Sequence, residues 1–186
     1  LYEIAQQRLD KLTKPKGSLG RLEEFARKIV AMTGQYLPFP LEKKVIFTFA
    51  GDHGVVEEGI SLYPKEVTEQ MVHNFINGGA GINVLARHAG AEVVIVDIGV
   101  DCDFKKFPSL LIKKVLNGTK NMRKGSAMER KDAERCIDTG VELAHEYAQK
   151  GYSIIGTGDM GIGNTTASSA IAAVMTGKPV AEVTDR

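Results

Sequence analysis

The sequence predicts an α/β fold in which helices cover both faces of a parallel β-sheet. Three nearly continuous apolar runs, "KKVIFTFA", "EVVIVDIGV" and "YSIIG", have the length of strands and alternate with segments of helical periodicity. Continuous apolar runs are typical of strands buried on both faces, and alternation of strands with helices favours parallel pairing.

The chain starts with two predicted amphipathic helices. "YEIAQQRLDKL" places Ile4, Leu9 and Leu12 near one helical face, and "RLEEFARKIVAMTG" repeats the pattern. The proline and glycines of "TKPKGSLG" interrupt the helix between them. We expect Lys14 and Lys16 in this turn to face solvent.

The first apolar run ends abruptly at "GDHG", a strand followed by a glycine turn. Pro64 suits the first position of the next helix, along which Val67, Met71 and Phe75 recur on one face. A shorter helix through "INVLARH" is expected to end at Gly90, in the left-handed conformation, before the second strand.

The second half of the chain predicts one long helix and a third strand. Residues 101–128 have no clear period, and we expect a single strand there, at Leu110 to Val115. A long helix is predicted from about Asp132 to a stop at Gly151, directly before the third strand. The residues expected on its inner face are Cys136, Ile137, Val141, Ala144, Tyr147 and Ala148. The predicted architecture is Rossmann-like.

Composition and charge exclude several classes of protein. With 186 residues, 43% hydrophobic and 25% charged, the chain is typical of a globular protein with one substantial core. The net charge of +1 gives no broad positive field, so we expect no nucleic-acid partner. No apolar run approaches the roughly 20 residues of a membrane span, so we expect no membrane partner. Two distant cysteines indicate free thiols and a cytoplasmic protein.

The carboxyl ends of the predicted strands should gather along one rim of the sheet, where ligands bind in such folds. Asp52 and His53 in "AGDHGV" lie at the first strand end and could form a proton relay, bind a metal or hold a ligand hydroxyl. Alternatively, Asp52 caps the turn and His53 is packed. Further acids are available at the end of the second strand, at Asp97, Asp101 and Asp103, but without the tight spacing of metal ligands, so we expect no metal site.

The segment "GTGDMGIGNTT" lies between the third strand and a helix, "ASSAIAAVM". The start of a helix presents free N–H groups and the positive end of the helix dipole, and glycines let a phosphate approach the main chain. The residues predicted to bind phosphate are Gly161, Ile162, Gly163, Asn164, Thr165 and Thr166. The other interpretation is a tight glycine turn with Asn164 as a helix cap.

The same segment contains "GTGDMG", which fits the G-x-G-x-x-G pattern and raises an NAD-dependent oxidoreductase as an alternative. The match is weak, because Gly163 and Asn164 delay the helix beyond the third glycine of the pattern. Only Glu182 could serve as the acid that binds the ribose, and no strand precedes it. A Walker loop is excluded, because no Gly-Lys-Ser/Thr follows.

Six motifs occur in an order typical of one family: "KPKGSLGRLE", "GDHGV", "YPKEVTEQMVHNFINGGAGINVLARHAGA", "VVIVDIGVD", "NGTKNM" and "GDMGIGNTT". Together they resemble the nicotinate-nucleotide-dimethylbenzimidazole phosphoribosyltransferase family, almost from end to end of the chain. The resemblance implies transfer of phosphoribose from nicotinate mononucleotide to 5,6-dimethylbenzimidazole or a related base. The products are α-ribazole 5'-phosphate and nicotinate, in synthesis of the nucleotide loop of cobalamin.

The resemblance also implies an organisation. Residues 1–36 are expected to belong to a small helical domain, and residues 41–186 to an α/β nucleotide- and base-binding domain truncated at its C-terminus. A homodimer without a metal or other cofactor is expected. The family's general base is a glutamate in a later glycine-rich segment, beyond residue 186. We therefore expect an N-terminal half that is inactive alone.

The resemblance assigns further site residues. It places Tyr63, Gln70, Met71 and Met160 around the acceptor base, with Asp52 and His53 close by. Asp159 stands where the family carries glutamate and is a candidate catalytic residue of shorter reach, and Asp185 stands where a glycine is usual. Tyr63 and Met71 occupy positions at which the acceptor slot varies, so the accepted base could differ. A non-catalytic nucleotide- or base-binding module is the alternative from another functional class.

Overall fold

The computed structural model describes residues 1–34, 41–104 and 107–184. Asp185, singled out in the sequence, lies outside these ranges. The chain divides into two compact units, Leu1–Leu41 and Glu42–Arg186.

Within residues 1–34, the first unit contains two helices, α1 (Tyr2–Asp10) and α2 (Arg21–Thr33), joined by a series of turns. The turn is fixed by Glu23, which is buried and accepts hydrogen bonds from the Lys14 ammonium at 2.7 Å and from the main-chain N–H of Leu19 at 3.2 Å. The Lys14 side chain is only 13% exposed. The expectation that it faces solvent was wrong, whereas Lys16 is exposed.

The described part of the second unit is built on four parallel strands in the order β3-β2-β1-β4, which confirms the predicted α/β fold. The short third strand is followed by Lys113 and Val115, whose N–H groups still donate to β2, so the extended segment continues beyond the strand itself. The strands are β1 (Lys44–Gly51), β2 (Glu92–Gly99), β3 (Leu110–Ile112) and β4 (Ile154–Met160).

Helices connect the strands and flank the sheet. They are α3 (Val67–Ile76), α4 (Gly81–Ala89), α5 (Arg130–Gln149), α6 (Asn164–Thr176) and α7 (Val180–Val183), with a short 3-10 helix at Gly54–Glu58. Pro64 lies in the turn before α3, where its carbonyl accepts a hydrogen bond from the N–H of Val67. Gly90 ends α4 with a φ of 64°, the left-handed conformation expected of it. No helix of the described ranges is long and apolar enough to cross a membrane.

Each face of the sheet carries its own apolar cluster. On one face, Ile95 and Ala50 pack with α3 residues Val72 and Phe75. The clusters differ because successive side chains of a strand point to opposite faces. On the other face, α5 contributes Leu143 and Tyr147 to a cluster with Val45, Phe47, Val94 and Val96.

Two helices bury a face other than the expected one. Helix α3 buries Thr68, Val72 and Phe75, whereas Met71 is only half-buried. Helix α5 buries Asp132, Thr139, Leu143 and Tyr147, while Ile137 is 66% exposed and Val141 is 51% exposed. The predicted inner faces of both helices were therefore wrong in part.

Candidate functional site

The ends of β1 and β2 are tied together by Asp52. Its main-chain N–H donates to the carbonyl of Gly99 at 3.0 Å, and its Oδ2 accepts the N–H of Asp101 at 2.8 Å. Asp52 is only 5% exposed. Because β4 pairs with β1 in parallel, the segment after β4 emerges at the same edge. The rim predicted from the topology is present.

The segment after β3 docks onto this rim. Thr119 donates its N–H to the Asp52 carbonyl and accepts the N–H of Gly54 on its own carbonyl, both at 3.0 Å. A Cβ at Gly54 would lie 2.6 Å from main-chain atoms of Lys120 and Asn121, so a side chain there would push the segment away. Sequence reasoning assigned this segment no role, although "NGTKNM" was among its motifs.

A cavity of about 440 Å³ opens at the rim, between the strand ends, residues 116–119 and α6. Its wall includes five residues predicted for the site: Asp52, His53, Asp159, Met160 and Asn164. The rest of the wall is mainly apolar, and sequence reasoning did not identify it as part of the site. It includes Phe49, Ile98, Leu116, Met128, Cys136 and Ile171.

Three of the predicted residues are linked by hydrogen bonds. The Nε2 atom of His53 lies 2.6 Å from the Oδ1 atom of Asn164. The Nδ2 atom of Asn164 donates to the carboxylate of Asp159. Both polar atoms of the Asn164 side chain therefore have protein partners, although the sequence favoured phosphate as its ligand.

The predicted phosphate loop is divided by the structure. The N–H of Ile162 points inward and donates to the Thr68 hydroxyl at 3.1 Å, and the N–H of Asn164 donates to the Gly161 carbonyl at 3.0 Å. Helix α6 starts after Gly163 without a side-chain cap. Thr165 and Thr166 line a separate cavity of about 250 Å³.

Two glycines of the loop are required by the fold. A Cβ at Gly161 would lie 2.1 Å from the carbonyl oxygen of Gly51 and 2.5 Å from Oδ1 of Asn164. Gly163 has a φ of 93°, which residues with a side chain rarely adopt. The absence of side chains at these positions is therefore explained by packing and main-chain conformation, without a ligand.

The residues expected to bind the acceptor base fall into two groups. Asp52, His53 and Met160 line the cavity, whereas Tyr63 and Gln70 are exposed elsewhere. Tyr63 is 64% exposed. Met71 packs on the apolar cluster of the α3 side. The structure thus brings the first three together and leaves the other three outside the cavity wall.

A second cavity of about 440 Å³ lies on the other side of Asp52 and His53. The Lys65 ammonium and the Asp101 carboxylate form an ion pair there, and this hydrogen bond raises the pKa of Lys65. Lys65 belongs to the motif "YPKE", which was the only signal for it in the sequence.

Asp97, near the end of β2, has structural partners. Asp97 is fully buried, and its Oδ1 accepts the N–H groups of Gly99 and Val100 at 3.1 and 2.9 Å. The Lys114 ammonium lies 3.4 Å from its Oδ2.

Among residues 1–34, 41–104 and 107–184, no group of three or more His, Cys, Asp or Glu side chains could hold a metal ion. Burial raises the pKa of the free Cys102 thiol to about 11.

Comparison with known proteins identifies relatives over the whole chain. A family model described as "Phosphoribosyltransferase" matches residues 1–186. Nicotinate-nucleotide-dimethylbenzimidazole phosphoribosyltransferase of Geotalea uraniireducens is 62% identical over 182 residues, which cover 98% of this chain and 51% of the relative. The protein of that name from Geobacter sulfurreducens is 59% identical over 186 residues, 100% of this chain and 53% of the relative.

A solved structure is similar to this chain over its full length. The crystal structure of CobT from Thermus thermophilus is 44% identical in sequence and superposes with a TM-score of 0.95, covering 100% of this chain and 55% of that one. The chain spans about half the length of the curated relatives it matches.

Proposed function

Because this chain belongs to the phosphoribosyltransferase family, we propose that the full-length protein moves phosphoribose from nicotinate mononucleotide to 5,6-dimethylbenzimidazole or a related base. The products would be α-ribazole 5'-phosphate and nicotinate, for the nucleotide loop of cobalamin. The observation that carries this proposal is the mainly apolar cavity beside the start of α6, in a chain whose relatives bear that enzyme name.

The cavity supports binding of a flat base. Its volume of about 440 Å³ and mainly apolar wall suit an aromatic ring system, and a few polar groups at its edge can fix the orientation of that ring. Asp52, His53 and Met160 are the proposed contacts within this wall. We retain Tyr63, Gln70 and Met71 as proposed acceptor contacts from the α3 side.

The start of α6 supports binding of the nucleotide phosphate. The N–H groups of Ile162 and Asn164 are bonded within the protein, so the proposed donors are the N–H groups of Gly163, Thr165 and Thr166. These groups lie at the positive end of a helix of 13 residues, which favours an anion. The Gly161 and Ile162 segment would then support the phosphate site from behind.

The proposed reaction is a displacement at C1' of the ribose in which the acceptor attacks from the face opposite the leaving group. The acceptor nitrogen forms a bond to C1' on the face opposite the nicotinate, and the C1'–N bond to nicotinate breaks with its electron pair. The pyridinium ring leaves with a neutral nitrogen, and configuration changes from β to α. A general base takes the N–H proton of the acceptor. Within this chain, Asp159 is the candidate for a proton-accepting role. The resemblance places the family's general base, a glutamate, beyond residue 186.

We further propose a homodimer that works in the cytoplasm on small molecules, without nucleic acid, membrane or cofactor. The net charge of +1 supports the absence of a polyanionic partner. Gel filtration with light scattering of the full-length protein would test the dimer, and a monomeric mass would contradict it.

Product analysis of the full-length protein tests the reaction. Nicotinate mononucleotide and 5,6-dimethylbenzimidazole are incubated with the enzyme, and α-ribazole 5'-phosphate is measured by chromatography and mass spectrometry. Binding of both compounds without product would favour the non-catalytic module. Binding of NAD without binding of nicotinate mononucleotide would favour the oxidoreductase.

A further inference from the structure

Three polar side chains form a continuous hydrogen-bonded chain along the wall of the cavity between the strand ends and α6. His53 follows β1, Asn164 begins α6 and Asp159 lies in β4, so each comes from a different element. Nε2 of His53 is 2.6 Å from Oδ1 of Asn164, and Nδ2 of Asn164 donates to Oδ2 of Asp159. All three line the cavity.

Hydrogen-bond chemistry fixes the direction of this chain. A carboxylate only accepts, so the atom of Asn164 that faces Asp159 must be its amide nitrogen. The amide oxygen of Asn164 then faces His53, and because this oxygen only accepts, Nε2 of His53 must carry a hydrogen. A carboxylate at Asp159 and an Nε2–H on His53 therefore favour the same direction of the Asn164 amide.

Local packing supports this arrangement. A Cβ at Gly161 would lie 2.5 Å from Oδ1 of Asn164, and one at Gly163 would lie 3.5 Å from Cβ of His53. Gly161 thus leaves the space that the amide oxygen of Asn164 occupies, and a Cβ at Gly163 would be at ordinary contact distance from His53. Asn164 makes no side-chain cap at the start of α6, so capping does not explain its orientation.

We propose that His53 is a positioning residue for the transferase reaction: it orients the Asn164 amide, which holds the Asp159 carboxylate at the cavity wall. This role rests on the proposed function, which gives Asp159 a substrate. Asp159 is exposed, and within the described ranges no hydrogen bond reaches its Oδ1. That oxygen is available to accept the N–H proton of a bound base or a hydrogen bond from the ribose.

Kinetics of the full-length enzyme test the proposal. His53→Phe keeps a ring but removes the donor, and we expect kcat to fall about 10- to 100-fold, the range that misplacement of a reacting group produces. KM for nicotinate mononucleotide should stay within about threefold, because the phosphate contacts are unchanged. His53→Gln, whose side-chain N–H can replace Nε2–H, should restore most of kcat. His88→Phe, at an exposed position in α4, is the matched control.

A double-mutant cycle separates positioning from a general structural role. In an Asp159→Asn background, His53→Phe should cause no further loss of kcat, because its effect on kcat passes through the carboxylate, whereas loss of its proposed contact with the acceptor base should appear in KM for that base. A full additional loss would overturn the proposal. So would failure of His53→Gln to recover activity while its thermal unfolding matches the wild type.

A spectroscopic readout keeps this proposal distinct from the proposed function. In protein labelled with 15N-histidine, the His53 ring should carry its hydrogen on Nε2, and Asn164→Ala should change the Nε2 shift. A neutral His53 with its hydrogen on Nδ1 would overturn the proposal even in an active enzyme. If no transferase product forms in the wild type, the function fails, and the tautomer still decides whether the hydrogen-bonded chain exists.

Discussion

The main-chain N–H of Ile162 donates a 3.1 Å hydrogen bond to Oγ1 of Thr68, and both residues are buried. This contact joins the loop before α6 to helix α3, across 94 positions of sequence. Because the proposed phosphate donors follow Ile162 directly, the buried hydroxyl of Thr68 helps to hold the main chain that presents them.

Replacement of Thr68 by valine should weaken this junction. Valine has nearly the same shape, so the main effect is a buried N–H without a partner, which costs about 1–3 kcal/mol of unfolding free energy. Thr68→Ser is the control, since it keeps the hydroxyl and loses only a methyl group. Hydrogen exchange at the Ile162 amide checks the cause: we expect faster exchange in the valine variant than in the serine variant. Equal protection would contradict the contact.

Alanine at Gly161 and at Gly140 should have opposite effects. At Gly161 the new Cβ meets the Gly51 carbonyl at 2.1 Å, and overpacking of this kind costs about 1–3 kcal/mol. At Gly140, within α5, nothing lies within 4 Å, so alanine should stabilise the helix by about 0.5–1 kcal/mol. Denaturant unfolding of the two variants measures both effects. Similar stabilities would show that the Gly161 turn relaxes freely.

Loss of the Lys114 ammonium should leave the Asp97 carboxylate buried without its cation. Lys114→Met should therefore cost on the order of 3 kcal/mol, as removal of one partner from a buried pair does. Asp97→Asn combined with Lys114→Met should recover part of that loss. Lys113→Met is the matched control: its 3.6 Å pair with Glu142 is on the surface, so we expect less than about 1 kcal/mol. Equal losses at both lysines, measured by denaturant unfolding, would contradict this assignment.

Acid should loosen the segment that follows Thr119. Asn121 and Lys124 donate hydrogen bonds to the carboxylate of Glu57, and the bond from Lys124 is the main cause that lowers the pKa of Glu57. Asn121 also donates to the carboxylate of Glu58, and this bond is the main cause that lowers the pKa of Glu58. Since both folded pKa values lie below the ordinary 4.5, the stabilisation is fully present above pH 4.5 and is lost as pH falls through the folded values.

Hydrogen-exchange protection of the Arg123 and Lys124 amides, which donate to the side chain and the carbonyl of Asn121, checks this expectation between pH 6 and pH 3. Protection should fall below pH 4.5. The Glu57→Gln and Glu58→Gln double variant should show less change with pH over the same range. An unchanged profile in that variant would assign the acid sensitivity to other groups.

The strands were predictable because the apolar run that marks each strand does not depend on which strands lie next to it in the sheet. Val45 and Phe47 pack on one face of β1 and Ala50 on the other, so an apolar run was needed regardless of strand order. Which face of each helix is buried was less predictable. Thr68 was not assigned to the buried face of α3, because its hydroxyl partner, the Ile162 N–H, lies far away in sequence.

Polar residues caused the same difficulty elsewhere. Thr139 is buried in α5 because its hydroxyl donates to the Arg135 carbonyl of the same helix, so its polar group needs no water. Lys14 was expected in solvent, but Glu23 binds its ammonium. A period of apolar residues cannot reveal such local or ionic compensation.

The candidate site was predictable in its position but not in its contacts. The topology brings His53 and Asp159 to one rim, as the order of strands and glycine turns indicated. The link through the Asn164 side chain depends on distances of a few ångströms, and the docking of Thr119 depends on the missing side chain of Gly54. Neither follows from residue type or spacing.

Parallel pairing of β1 with β4 has a consequence for folding kinetics. His53 and Asn164, which meet at the rim, are 111 positions apart, so a long loop must close before they gain any contact energy. Parallel pairing of distant strands slows folding, because the entropy of loop closure must be overcome before the contacts form. The helices can form early from local contacts, whereas the rim that holds the site should be among the last regions to become ordered.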